Sequence, residues 1–185
     1  MFHTIRDAWK IPDLRKKILY TLLMLAIVRI GSTMPSPFID ASLVNEYFST
    51  SGGVLALFDV MSGGAFSNMN LFAMGVTPYI NASIIMNLLT IAIPRLEELN
   101  KDGESGRKKI AQYTRYVTIV LALVQAFGIS YSLNANYGII SSEVNTVWAI
   151  IVSIFTFTAG TAFVMWIGEN ITAKGIGNGI SLIIF

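Results

Sequence analysis

Residues 71–93, LFAMGVTPYINASIIMNLLTIAI, run for 23 positions without a charge. A helix needs about 20 mostly apolar residues to cross a bilayer, so this stretch is long enough to span. It is polar for a span, carrying Thr77, Asn81, Ser83, Asn87 and Thr90, and it holds Gly75 and Pro78. Just before it, residues 54–61 are apolar, Asp59 apart, over only eight positions, and Ser62-Gly63-Gly64 breaks them before Phe66. So short a piece cannot cross. It predicts a re-entrant helix, because irregular backbone survives at membrane depth only inside protein or against water. A broken apolar element beside a polar, Gly/Pro-containing span points to a transport pathway. The same Asn and Ser residues also read as packing glue between helices, and composition leaves both readings open.

The charges give this segment a setting. Apart from Arg29, the basic residues fall into three groups: Arg6, Lys10, Arg15, Lys16 and Lys17; Arg95, Lys101, Arg107, Lys108, Lys109 and Arg115; and Lys174. No basic residue lies in 30–94 or 116–173. Basic loops are retained in the cytoplasm, so the pattern predicts an all-α, polytopic membrane bundle with alternate loops inside. Composition agrees, with 54% hydrophobic residues, 13% charged and a mean hydropathy of +0.62. A soluble domain carries about 25% charge.

The expected order starts with a cytoplasmic amphipathic segment over 1–17, on which Phe2, Ile5 and Trp9 recur at helical spacing until Pro12 breaks it. Span 1 follows over 18–34, retained rather than cleaved, since the small residues after it make a poor processing site. Then come an outer loop over 35–56, the re-entrant piece over 57–70, span 2 over 71–93 and a cytoplasmic loop over 94–115. Span 3 covers 116–133, an outer loop 134–145, span 4 146–167 and a cytoplasmic loop 168–179. A fifth hydrophobic run begins at 180–185, which reads as part of a longer membrane protein.

No chemistry is expected. There is no cysteine and His3 is the only histidine, which excludes disulfides and thiol catalysis and disfavours His-based metal sites. No acid–base pair or catalytic triad is recognisable, no cofactor is implied, and Glu169 falls past the end of its span. Gly103-Glu104-Ser105-Gly106-Arg107-Lys108-Lys109 lacks the spacing of a phosphate loop. It reads as a solvated basic turn or as a docking surface for a cytoplasmic partner. Gly175-Ile176-Gly177-Asn178-Gly179 lacks dinucleotide spacing and reads as a flexible joint. Ile80 and Ile84 share one face of span 2, with Asn81 and Asn87 expected on other faces. Such isoleucines face lipid, pack, or form a hydrophobic constriction. Arg29 either snorkels to the headgroups or pairs with an acid such as Asp59.

Several runs together resemble the SecY family, whose members form the pore of the bacterial protein-translocation channel. They are Met61-Ser62-Gly63-Gly64-Ala65, the stretch from Ala73 through Pro78-Tyr79-Ile80-Asn81 to Ile85, and Gly103 to Lys109 with Gln112-Tyr113-Thr114-Arg115-Tyr116. Trp166-Ile167-Gly168-Glu169, Gly175 to Ser181, Ala8-Trp9-Lys10-Ile11-Pro12 and Arg29-Ile30-Gly31 complete the set. The resemblance covers the chain in order. It implies ten spans in two inverted halves, of which this chain holds the first four and the start of the fifth. It further implies a plug containing Leu57, Phe58, Val60, Met61, Ser62, Gly63, Gly64 and Phe66, and a pore ring of Ile80, Ile84 and Ile184. A lateral gate would include Thr77, Asn81, Asn87 and Thr90, and Arg107, Lys108 and Lys109 would face cytoplasmic partners.

The implied partners are SecE-like and SecG-like subunits, a SecA-type motor and the ribosome (mainly through the other half), signal peptides, nascent chains and the phospholipid bilayer. No nucleic-acid motif is present. The implied location is the bacterial plasma membrane, multi-pass, with the N-terminus in the cytoplasm. Without the second half, the chain alone is expected to be inactive as a pore. The competing expectations are half of a small-solute secondary transporter, which shares inverted repeats and broken helices, and a non-conducting membrane scaffold.

Overall fold

A computed structural model describes residues 11–39, 64, 68–137 and 145–185. Among them every regular element is a helix: α1 (Pro12–Gly31), α2 (Thr77–Ala92), α3 (Pro94–Lys101), α4 (Glu104–Tyr137), α5 (Thr146–Lys174) and α6 (Gly179–Ile184). The expectations at Leu57, Phe58, Val60, Met61, Ser62, Gly63 and Phe66, and the surface helix before residue 11, lie outside the described residues.

The helices do not stop where hydropathy stops. Pro12, expected to break a helix, opens α1. In the first turn its missing N–H has no partner to lose. α1 therefore starts six residues before the expected span and ends at Gly31. The expected loop 94–115 is largely helical: α3, a turn at Asp102-Gly103, then the first turns of α4. α4 has 34 residues and α5 has 29, about 50 and 43 Å at 1.5 Å per residue. Both exceed a hydrocarbon core of about 30 Å, so their charged ends extend beyond the apolar layer as continued helix. α4 and α5 are each long and apolar enough to cross a membrane, and α2 with α3 makes a third candidate bent by 100°. α1 does not qualify, since its 20 residues include Asp13, Arg15, Lys16, Lys17 and Arg29.

The largest departure lies in span 2. Only residues 77–92 are helical, while 69–76 wind through successive turns closed by Ala73 N–H to Asn70 O, Gly75 N–H to Phe72 O and Thr77 N–H to Met74 O. Met69 and Gly75 have φ of 44° and 52°, and an α-helix cannot pass through them. The turns are interior. Met69, Ala73 and Met74 pack with Ala126 of α4 and Phe157 of α5, with Ile39, Ile129 and Ile154 around them. Phe72 and Val76 pack with Val164 of α5, joined by Val28, Ile80, Ile180 and Ile183. An isolated antiparallel bridge, Pro35 to Asn70, ties the end of α1 to this segment, with Ser36 N–H donating to Met69 O at 3.0 Å and Leu71 N–H to Met34 O at 2.9 Å.

Around this knot, α4 packs against both α2 and α5, and α5 packs against α1 and α6. The connection 175–178, expected to be a flexible joint, is pinned. Ile176 N–H donates to the Thr21 hydroxyl at 3.2 Å, and Gly179 N–H to the Thr172 hydroxyl at 2.9 Å. Asn178 caps α6 by accepting from the N–H groups of Ile180 and Ser181. A Cβ on Gly179 would stand 2.0 Å from Gly168 O, so only glycine lets α6 fold back this tightly on α5.

Candidate functional site

Pro78 occupies the first turn of α2, where a proline is pre-organised for helix. The unbroken helix that follows puts Tyr79, Ile80, Ser83 and Ile84 along one wall of a cleft of about 480 Å³. α4 adds Ala111 and Arg115 to that side. Glu169, Thr172 and Ala173 of α5, together with Asn178 and Ile180, form the other. Ile80 is half-buried and packs against the Phe72–Val76–Val164 cluster, as Ile180 and Ile183 do, whereas Ile84 is 53% exposed. The two isoleucines named from sequence are thus brought together on the cleft wall. Ile184 is not among the lining residues; α6 supplies Ile180 instead.

One polar residue of α2 lies on a different face from the one expected. Asn87, expected on another face, lies three residues after Ile84 and seven after Ile80 in a continuous helix, and so on the same face. Its side chain is exposed. Thr90 is buried and its hydroxyl donates to the Asn87 carbonyl at 2.7 Å, satisfied within its own helix. Thr77 and Asn81 are half-buried and lie outside the cleft lining. From Ile84 at the cleft, Leu88 and Ile91 continue as an exposed apolar stripe.

One feature of the cleft escaped the sequence reading. Arg115 Nε donates to Glu169 Oε1 at 2.8 Å and Nη2 to Oε2 at 2.7 Å, a two-pronged pair joining α4 to α5. Among the described residues it is the ion pair that connects different helices; Lys101–Glu97 and Lys108–Glu104 are each four apart on one helix. A signal was present. Arg115 is the last basic residue before a long gap, and Glu169 is the only acid after residue 143. Arg107, Lys108 and Lys109 are exposed in the first turns of α4, with Lys108 Nζ 2.8 Å from Glu104 Oε1. Gly64 has φ of 82° and its carbonyl accepts from the Asn68 side chain at 2.9 Å.

Arg29, for which a buried partner or a snorkelling position was expected, is exposed beside a small cavity of about 20 Å³ that Ser32, Phe72, Gly75 and Ile183 also line. Asp59 lies outside the described residues. Among the described residues, no group of three or more His, Cys, Asp or Glu side chains could hold a metal ion.

The SecY family model matches residues 70–185. The protein translocase subunit SecY of Streptomyces griseus is 46% identical over an alignment taking in 100% of this chain and 44% of that protein. The same subunit of Bacillus subtilis is 45% identical, over 100% of this chain and 43% of its own length. The chain thus spans less than half the length of the curated relatives it matches. Two solved structures share the fold at 18% identity. One, described as Sec61 in the canine ribosome-channel complex from the endoplasmic reticulum, has a TM-score of 0.61 over 91% of this chain and 35% of its own. The other, described as a protein conducting channel, has a TM-score of 0.60 over 91% and 34%. With its apolar helices and a family match over more than half its residues, the chain is a membrane protein and belongs to the SecY family.

Proposed function

We propose that this chain is the N-terminal part of the central subunit of a protein-conducting channel. The channel moves secretory polypeptides across the plasma membrane and inserts membrane proteins into it. The observation that carries this reading is the placing of Ile80 and Ile84 together on the wall of a cleft, directly after a buried, non-helical segment. Apolar side chains give a passing chain no specific hydrogen bonds, so a ring of them seals around any sequence without holding it. Ile184 would join the ring from α6, and residues 57–70 would plug the outer side. The exposed face of α2, with Asn87 in it, would form one side of the lateral gate, joined by Thr77, Asn81 and Thr90.

The basic ends of α1, α4 and α5 suit a cytoplasmic location for those ends and for the N-terminus. Arg107, Lys108 and Lys109 would face a SecA-type motor or the ribosome, and SecE-like and SecG-like subunits would complete the assembly. The transporter reading is not favoured, since the matched relatives are translocase subunits.

Cysteine placed at Ile80 or Ile84 in the assembled translocase should crosslink to a secretory polypeptide stalled in transit. Cysteine at Val124, exposed on α4, serves as the control. Equal crosslinking at all three positions would remove the pore assignment.

A further inference from the structure

We propose that the Arg115–Glu169 pair is a positioning latch that sets the resting width of the cleft. It rests on the channel reading above. Two contacts mark the ends of the stretch over which α4 packs on α5. At one, Ala126 meets Phe157 with Ile129 and Ile154 around them. At the other, eleven residues earlier on α4 and twelve later on α5, sits the ion pair. Both of its members line the cleft. α2, which carries Ile80 and Ile84, packs along α4 and makes only marginal contact with α5. The isoleucine wall is therefore tied to α5 and α6 by two routes, along α4 and, at Ile80, through the apolar cluster around Val164.

Three physical points make this pair more than a convenient contact. The pair joins α4 to α5 where their charged ends leave the apolar layer, and so acts beyond the reach of lipid and of the apolar contacts deeper in the bundle. The two-pronged geometry fixes orientation as well as distance, which a single contact does not. The acidic side is also rigidly mounted. Thr172, one turn beyond Glu169, donates to Gly168 O at 2.9 Å and accepts from Gly179 N–H at 2.9 Å. The carboxylate is thereby referenced to the start of α6 and to Ile180 in the same wall, which faces Ile80 and Ile84. Side-chain exposures of 48% for Arg115 and 23% for Glu169 leave the pair reachable from the cleft. A polypeptide entering there can part it without unpacking the apolar contacts at the other end.

The test is resting ion conductance of the full-length translocase in planar bilayers, read together with export of a substrate bearing a defective signal sequence. R115Q and E169Q should each raise resting conductance several-fold and admit the defective signal. The exchanged pair R115E/E169R should return both readings toward the parent. A pair that only holds the bundle together would lower the amount of assembled protein without opening it. Single variants that assemble normally and seal like the parent overturn the proposal. So does an exchanged pair that leaks as much as either single variant. If the neutral variants fail to assemble, R115K, which keeps the charge and loses the fork, should still leak, and a sealed R115K overturns the latch. Ile84→Gly runs alongside: a leak there with sealed latch variants removes the latch alone, whereas a sealed Ile84→Gly removes the channel reading and the latch with it.

Discussion

Residues 69–76 and helix α2 follow one another in the chain, are equally free of charge, and solve opposite physical problems. The first segment is turned backbone wrapped in protein, with Phe72 only 4% exposed. The second is regular helix, with Leu88 62% and Ile91 79% exposed. Lipid satisfies no N–H or C=O group, so backbone that cannot bond along a helix must be enclosed by side chains that can shield it. A helix has already satisfied its own backbone and tolerates an apolar environment on its outer face. In these two segments regularity goes with exposure, and irregularity with burial. Hydropathy is blind to the difference.

The strongest way to break that contrast is Phe72→Ala. The ring stacks on Phe163 at 5.9 Å and sits beneath Gly31, where even a Cβ would stand 2.1 Å from it. Emptying such a site costs about 3–5 kcal/mol. SDS-induced unfolding in mixed micelles should show that loss, and a loss below about 1 kcal/mol would mean that the turned segment does not organise the bundle.

Gly75→Ala gives a smaller effect but a sharper one, because its sign is diagnostic. If residue 75 keeps its φ of 52°, alanine is strained there and the protein loses about 1–2 kcal/mol. If instead 71–93 were one continuous helix, the same change would gain about 1 kcal/mol from helix propensity. The same unfolding experiment separates the two.

Much of this arrangement was legible beforehand. The three basic groups and the charge-free runs marked the helices that became α4 and α5, and the SecY motifs named Ile80 and Ile84, which do share a wall. Helix ends were not legible, because a helix of 34 residues continues through Arg115 and up to Glu104 once its backbone is bonded, whatever its side chains prefer. Nor was the break before Thr77, since Gly75 and Pro78 inside an apolar run also suit a kinked span. The Arg115–Glu169 pair joins residues 54 positions apart and depends on the antiparallel register of their two helices, which no local pattern encodes. The pinned turn at 175–178 was hidden for a similar reason. A glycine-rich run reads as freedom until a distant hydroxyl, Thr21, is seen to hold it.

The smallest expected effect tests the other half of the contrast. Leu88 lies on the stripe with Ile84 and Ile91, and truncating it to alanine removes atoms that touch little within the chain. No internal cavity opens, and lipid or a neighbouring helix fills the space. Leu88→Ala should therefore change unfolding free energy by no more than about 0.5 kcal/mol. In the assembled channel it should nonetheless alter how hydrophobic a signal sequence must be for export, because this face is the one proposed to form a side of the gate. A cost approaching that of Phe72→Ala would mean that the stripe is packed as tightly as the turned segment, and the pairing of regular backbone with open surface would fail on its own ground.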